Sequence, residues 1–207
     1  MENTKIRILH AAADMFAGRG FEKVTMREIA RAVNIRAASI YNHFRSKNDI
    51  LEYILRDYEM HNSGYDNDVA SKLRENPTPE GILSCLEIVF PEDEREYYLK
   101  VLCVILQEQH RNPIVRGRMC ENILNSEQYV KTIFNVLKEL RVIRQDSDPD
   151  FWAKTCSCLF YAFSGRMLLG IGDKSPGFSG MDMAELLRAT FKIMLKLEAG
   201  DGLQKEG

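Results

Sequence analysis

The segment from Arg36 to Lys47, RAASIYNHFRSK, is dense in side chains that can make several hydrogen bonds at once. Arg36 and Asn42 have the shape to form paired hydrogen bonds, with a guanine edge and an adenine edge respectively. Tyr41, His43 and Lys47 carry donors suited to phosphate oxygens. These residue types at this spacing indicate double-stranded DNA as the partner.

Two apolar residues of the same segment, Ile40 and Phe44, are four apart. They should hold a short helix, from about residue 36 to residue 44, against a core. The small side chains at its start would let that helix lie close to a groove floor. Ordinary alternatives exist for the polar residues, since Tyr41 could be a core aromatic and His43 a solvated surface residue.

Two earlier helices and a tight turn must position this segment. The first helix is expected to end at Gly18 and Gly20. Its apolar face comprises Ile6, Leu9, Ala13 and Phe16. Thr25 and Glu28 form a capping box that opens the second helix, and Asn34 after it tolerates the left-handed backbone of a sharp turn. This layout is typical of a helix-turn-helix unit.

Helical periodicity and capping signals continue along the chain, and no stretch shows the alternation of a β-strand. Ser46 and Asp49 form a second capping box at the start of a long fourth helix. The later helices are expected from Pro79, from Pro91 to about His110, from Pro113 to about Arg141, from Pro149 to about Gly170, and from Asp182 to about Glu198. The sequence therefore predicts an all-α fold of about nine helices.

Charge is distributed unevenly along the chain, although the net charge of the 207 residues is only −2. Residues 1–56 hold ten Lys and Arg against six Asp and Glu, whereas residues 57–207 carry a net charge of −6. A basic N-terminal block joined to an acidic body supports a polyanionic partner for the block.

Composition argues against several other classes of protein. Every apolar run is broken by charge before it reaches the length of a membrane span, and the N-terminus lacks the apolar stretch of a signal peptide. The five cysteines are scattered and the four histidines are isolated from one another. We therefore expect a cytoplasmic protein with no metal site, disulfide framework or other cofactor.

Three runs of residues carry a family resemblance. They are A-A-x-x-x-F…G-F-x-x-x-T ending at Thr25, I-A-x-x-x-x-I from Ile29 to Ile35, and I-Y-x-H-F-x-S-K-x-D-I-L from Ile40 to Leu51. With these runs, residues 5–51 resemble the N-terminal domain of the TetR (tetracycline-repressor-like) family of bacterial transcriptional regulators. The resemblance implies a helix-turn-helix that binds DNA.

By this resemblance, DNA contacts come from the start of the second helix, from the third helix and from the residue that opens the fourth. These positions are Thr25, Arg27, Arg36, Ala37, Ser39, Tyr41, Asn42, His43 and Lys47. Family members usually have Gly where Asn34 stands, and often Ser-Lys-Gly where this chain has RAA at 36–38. The operator sequence therefore cannot be taken from a relative.

We expect residues 1–46 to form the DNA-binding domain, residues 47–200 an effector-binding and dimerisation domain, and residues 201–207 a disordered tail. The resemblance implies a homodimer formed through the last two helices. Both helices are rich in apolar residues, so they could complete a four-helix bundle with a second copy or only fill the core of one chain. The expected interface residues are Phe160, Phe163, Met167, Leu187, Phe191 and Met194.

Candidates for an effector pocket are polar or adaptable side chains among apolar ones on the middle helices: Tyr97, Tyr98, Cys103, Gln107, Met119, Tyr129 and Phe134. The expected function is a dimeric, sequence-specific regulator, a repressor released from a pseudo-palindromic operator by a small molecule. One alternative is the same fold with a thiol redox switch at Cys156 and Cys158, or with no effector. A helical-bundle enzyme is the remote alternative, because no nucleophile–base pair, paired metal motif or phosphate loop is visible.

Overall fold

The computed structural model describes residues 4–62, 68–86, 94–169 and 183–198. Their helices are α1 Thr4–Arg19, α2 Met26–Ala32, a 3-10 helix Ser39–Asn42, α3 Lys47–Asn62, α4 Val69–Glu75, α5 Pro79–Leu86, α6 Arg95–Glu108, α7 Pro113–Glu139, α8 Pro149–Leu169 and α9 Met183–Leu197. No β-strand occurs within these ranges, and the all-α prediction is confirmed. The predicted helix starts at Pro91 and Asp182, the predicted end at Gly170 and the tail lie outside the described residues.

The chain forms two compact units. Unit 1 comprises residues 1–62 and 90–121, and unit 2 comprises residues 63–89 and 122–207. Helix α6 therefore belongs to the same unit as the helix-turn-helix segment. The predicted division at residue 46 concerns function and stays a prediction.

In unit 1, α1 packs against α2, α3 and α6. Its buried residues are Ile8, Ala12, Ala13 and Phe16. The predicted face was wrong at Ile6, which is exposed, because the true stripe is centred on the i, i+4 series from Ile8 to Phe16. The helix runs through Gly18 and ends before Gly20, whose φ of +81° fits the left-handed position after a helix.

The turn after α2 follows the prediction from Asn34, which has a φ of 57°. The next N–H, that of Ile35, donates to the carbonyl of Ala30 at 2.9 Å. This bond satisfies a carbonyl that the end of a helix leaves without a partner. One left-handed residue thus reverses the chain between α2 and the segment rich in hydrogen-bonding side chains.

The predicted third helix was wrong in type and length, since the regular part is a single 3-10 turn from Ser39 to Asn42. Its first residue is preceded by Ala38, whose side chain has no group to cap the turn. The N–H of Ser39 donates to the carbonyl of Arg36 at 2.8 Å, so the i→i+3 pattern begins at once. Ile40 and Phe44 are both buried as predicted.

Helix α3 begins at the predicted capping site. The N–H of Asp49 donates to the hydroxyl of Ser46 at 3.1 Å, but the carboxylate of Asp49 accepts from the N–H of Arg45 rather than that of Ser46. The reciprocal bond is therefore shifted by one residue from a capping box. The predicted apolar residues of this helix are all buried: Ile50, Leu51, Ile54, Leu55 and Tyr58.

Unit 2 has its own core, to which α4, α5, α7, α8 and α9 contribute. The rings of Phe134 on α7 and Trp152 on α8 stack with centroids 5.8 Å apart. Asp148 caps α8 as predicted, accepting the N–H of Asp150 at 3.0 Å. Helix α4 was not predicted as a separate element; Val69 and Leu73 hold it to the core through the i, i+4 spacing of two buried side chains. Of the helices described, none is long and apolar enough to cross a membrane.

Candidate nucleic-acid interface

The 3-10 turn and its flanks expose the side chains that could meet DNA. Arg36, Asn42 and His43 are exposed, and Tyr41 is 54% exposed. Ala37 is also exposed, whereas Ser39 is half-buried. The core-aromatic alternative for Tyr41 therefore does not hold, and the burial of Ile40 fixes which side of the turn faces outward.

Thr25 is held by its own capping box. Its hydroxyl donates to the Glu28 carboxylate at 2.7 Å and accepts the Glu28 N–H at 3.3 Å. The same carboxylate accepts the Thr25 N–H at 2.9 Å and bonds Arg19 at 2.7 Å. Hydrogen bonds from Thr25 and Arg19 lower the pKa of Glu28 to about 2. Thr25 thus fixes the start of α2, with the exposed Arg27 two residues further on.

Lys47 has a structural role that sequence reasoning missed. Its ammonium donates to the carbonyls of Phe21, at 2.7 Å, and Glu22, at 3.3 Å. It also lies 4.2 Å from the centre of the Phe21 ring. Two of the three ammonium donors are therefore used within the protein, which leaves one for a phosphate.

Helix α6 is bonded to α1 and to the segment that follows it. The buried carboxylate of Glu108 accepts the Phe21 N–H at 3.0 Å, and the amide of Gln107 donates to the Ala17 carbonyl at 3.1 Å. Lys100 pairs with Asp14 on α1. The sequence did contain a signal for the role of Glu108: it follows the buried Ile105 by three positions, which places an acidic side chain on the apolar face of a helix.

The segment that contains the helix-turn-helix matches a known protein family. Residues 8–54 match the family model described as "Bacterial regulatory proteins, tetR family". Residues 8–54 are therefore an N-terminal domain of the tetR-family type. The family model covers the capping box at Thr25, the left-handed Asn34 and the 3-10 turn.

Two sets of relatives share this N-terminal region. The HTH-type transcriptional repressor KstR2 of Mycolicibacterium smegmatis is 45% identical over 51 residues, which cover 25% of this chain and 25% of the relative. The Staphylococcus aureus negative regulator IcaR of the icaADBC biofilm operon is 42% identical over 48 residues, covering 23% of this chain and 26% of the relative. The chain thus matches about a quarter of the length of these tetR-family relatives.

Solved structures resemble the chain over nearly its whole length. PfmR from Thermus thermophilus, a TetR family transcriptional regulator, has a TM-score of 0.69 at 21% identity and covers 95% of this chain and 97% of that chain. KstR2 of Mycobacterium tuberculosis has a TM-score of 0.62 at 18% identity, with 97% of each chain covered. At such identities the likeness concerns the fold, which is that of tetR-family regulators.

The predicted pocket residues divide between the two units of the chain. Unit 1 holds Tyr97, Tyr98, Cys103, Gln107 and Met119, and unit 2 holds Tyr129 and Phe134. Tyr97 and Tyr98 are buried, and this burial raises the pKa of both hydroxyls. The Tyr97 ring stacks on His10 with centroids 4.3 Å apart. Their assignment to an effector pocket stays a prediction.

The predicted interface residues differ in burial. Phe191 and Met194 are buried in the core of unit 2, with Phe160 packed against that core, and Phe163 is half-buried. The side chains of Met167 and Leu187 lie outside the described part of the chain. Among the α9 side chains that the structure describes, Ile193, at 59%, and Leu197, at 65%, are large apolar residues exposed to solvent.

The cysteines considered for a redox switch have contrasting surroundings. Cys156 is buried, and desolvation raises the pKa of its thiol to about 12. Cys158 is exposed on the same helix, and the two are not bonded to each other. Since the thiolate is the reactive form, this shift disfavours reaction at Cys156. In the ranges that the structure describes, no group of His, Cys, Asp and Glu is arranged to hold a metal ion.

Proposed function

We propose that this protein is a DNA-binding transcriptional regulator that represses from a pseudo-palindromic operator. The observation that carries the proposal is the exposed set Arg36, Tyr41, Asn42 and His43 on a turn whose other side is buried. Arg36 and Asn42 would contact base edges, and Tyr41 and His43 would contact phosphates. The tetR-family match over the same residues supports this assignment.

The protein would act as a homodimer. Two copies of the turn would enter successive major grooves, about 34–36 Å apart on one face of the DNA. The exposed apolar side chains of α9 support a contact with a second copy, because the exposure of Ile193 and Leu197 leaves apolar area in water. Residues on α8 such as Tyr161, which is also exposed, would extend this surface.

Release from DNA would follow the binding of a small molecule to the body of the protein, because a ligand that prefers one arrangement of the dimer shifts the population toward it. The burial of Cys156, which raises the pKa of its thiol, counts against this residue as the redox centre of the alternative. The relatives KstR2 and IcaR are named as a repressor and a negative regulator, which supports repression as the direction of control.

The experiment is a selection of duplexes from a random DNA pool by the full-length protein. We expect enrichment of a motif whose two halves are related by two-fold symmetry. The logarithm of the binding constant should fall linearly with the logarithm of the salt concentration. Recovery of unenriched sequences only would refute sequence-specific recognition. The relatives match this chain over only about a quarter of their length, so their similarity does not identify the effector. We would search for it with a thermal-shift screen of small molecules and test each stabilising compound for release of DNA.

A further inference from the structure

The backbone N–H and the backbone carbonyl of Phe21 are bonded to side chains of two different helices. Its N–H donates to the Glu108 carboxylate of α6 at 3.0 Å, and its carbonyl accepts the Lys47 ammonium of α3 at 2.7 Å. Phe21 lies between α1 and α2, in a segment with no regular helix of its own. Apart from a turn bond from the Val24 N–H to the Phe21 carbonyl at 3.3 Å, side chains of α6 and α3 therefore supply the hydrogen bonds that secondary structure supplies elsewhere.

We propose that Glu108 is a positioning residue for DNA binding: its buried carboxylate sets the path of the segment that leads into α2. The inference rests on the proposed function. Glu108 touches no DNA in this view. It holds Phe21 in place, and Phe21 in turn positions the start of α2 and the 3-10 turn that follows α2.

Burial makes this carboxylate a strong constraint. Glu108 is only 7% exposed, and a buried charge is tolerated where hydrogen bonds replace those to water. Gly20, directly before Phe21, has a φ of +81°, and a Cβ at Gly20 would lie 3.8 Å from the same carboxylate oxygen. The carboxylate thus lies against the one left-handed residue of the connection.

The Phe21 side chain transmits the constraint. It is buried, and its ring meets that of Phe16 on α1 edge-on with centroids 5.1 Å apart. Since its ring and both polar groups of its backbone are held, Phe21 cannot shift without breaking a contact. Four residues later Thr25 begins the capping box of α2, so a displaced Phe21 would displace the N-terminus of that helix.

Three substitutions separate the acceptor, its charge and its reach. Glu108→Leu removes the acceptor, Glu108→Asp keeps the charge but shortens the arm, and Glu108→Gln keeps a carbonyl acceptor at the original reach. Glu96→Leu is the matched control, because Glu96 is an exposed carboxylate on the same helix that pairs only with Lys100 among the ion pairs of the described residues.

Two readouts are measured on full-length protein: exchange of the Phe21 amide proton with solvent, and affinity for a duplex selected by the wild type. For Glu108→Leu and Glu108→Asp we expect faster exchange at a temperature where each is folded. We also expect about tenfold weaker DNA binding, because only about a tenth of the molecules would then hold the arrangement that binds. Glu108→Gln should restore both, and Glu96→Leu should leave both unchanged.

Wild-type affinity in a folded Glu108→Leu protein would overturn the inference, and so would unchanged exchange of the Phe21 amide. If Glu108→Leu does not fold, Glu108→Asp decides in the same way. A lower melting temperature with normal DNA affinity would show a merely structural role and would also overturn it. Failure of the wild type to select any DNA would reject the proposed function and this inference together. Normal selection by the wild type, with unchanged affinity in the Glu108 variants, would reject this inference alone.

Discussion

The ammonium of Lys47 lies 4.2 Å from the centre of the Phe21 ring and 2.7 Å from the Phe21 carbonyl oxygen. A residue expected to grip phosphate is therefore also part of the frame that supports the helix-turn-helix. Its substitution should change stability and DNA affinity together, unlike that of a residue that only contacts DNA.

Replacing Lys47 with Gln should lower the free energy of unfolding by about 1–2 kcal/mol, since a cation–π contact and hydrogen bonds are lost. Urea titration measures this change. Binding to all duplexes should weaken about equally, because a phosphate contact carries no base preference. Tyr41→Phe is the control: we expect weaker binding without loss of stability, because Tyr41 is exposed. Full stability of the Lys47 variant would contradict the structural role.

Replacing Arg36 or Asn42 with Ala should relax the preference at one position in each half-site, at a cost of about 1–3 kcal/mol for the preferred base. The measurement is a repeat of the random-pool selection with each variant, compared with the wild-type motif. A motif unchanged in both variants would reject their assignment as base contacts. His43→Ala should leave the motif intact and reduce overall affinity.

Stability should depend on pH through Glu28. The carboxyl has a pKa of about 2 in the folded protein against an ordinary 4.5, so the charged form is favoured by folding. Its contribution is therefore complete above about 4.5 and is lost as the pH falls toward about 2. Urea unfolding of the wild type and of Glu28→Gln should differ near neutral pH and converge in acid. Parallel curves at all pH values would count against the linkage.

Asn34, with a φ of 57°, gives a test of backbone conformation. Asn34→Gly should be neutral or slightly stabilising, whereas Asn34→Val should cost about 1–2 kcal/mol because a β-branched residue is strained there. Chemical denaturation measures both. Asn125→Val, at an exposed position within α7, is the control and should change stability by only about 0.5 kcal/mol. A tolerated valine at 34 would show that the turn rearranges.

The proposed dimer is tested on α9. Ile193→Glu and Leu197→Glu should dissociate it, because each side chain loses about 1.5–3 kcal/mol of burial and gains a charge that needs water. Sedimentation velocity measures the mass in solution. Lys192→Glu, an exposed neighbour on the same helix, should remain dimeric. A wild-type protein that sediments as a monomer would rule out this assembly.

The sequence analysis predicted correctly several features that depend only on residues close together in the chain. The capping box at Thr25, the left-handed Asn34 and the cap at Asp148 all depend on neighbours in sequence, and all occur in the structure. The 3-10 geometry at Ser39 was missed because helical spacing over four residues does not separate a 3-10 turn from an α-helix.

Contacts between distant residues could not be predicted in this way. The bond from Phe21 to Glu108 joins positions 87 apart, and that from Lys47 to Phe21 joins positions 26 apart. No local pattern specifies such a pair, because each partner is chosen by the packing of whole helices. The sequence analysis gave no structural role to Lys47 or Glu108, whose partners are remote in sequence.

The left-handed backbone at Asn34 ends α2 without help from the exposed side chains that follow it. It closes α2 through the bond from Ile35 to Ala30, using only main-chain atoms. This closing bond thus does not involve the exposed side chains of the segment that follows. If the proposed function holds, substitutions at Arg36, Ala37 and Asn42 should change the preferred operator and leave this main-chain closure of α2 intact.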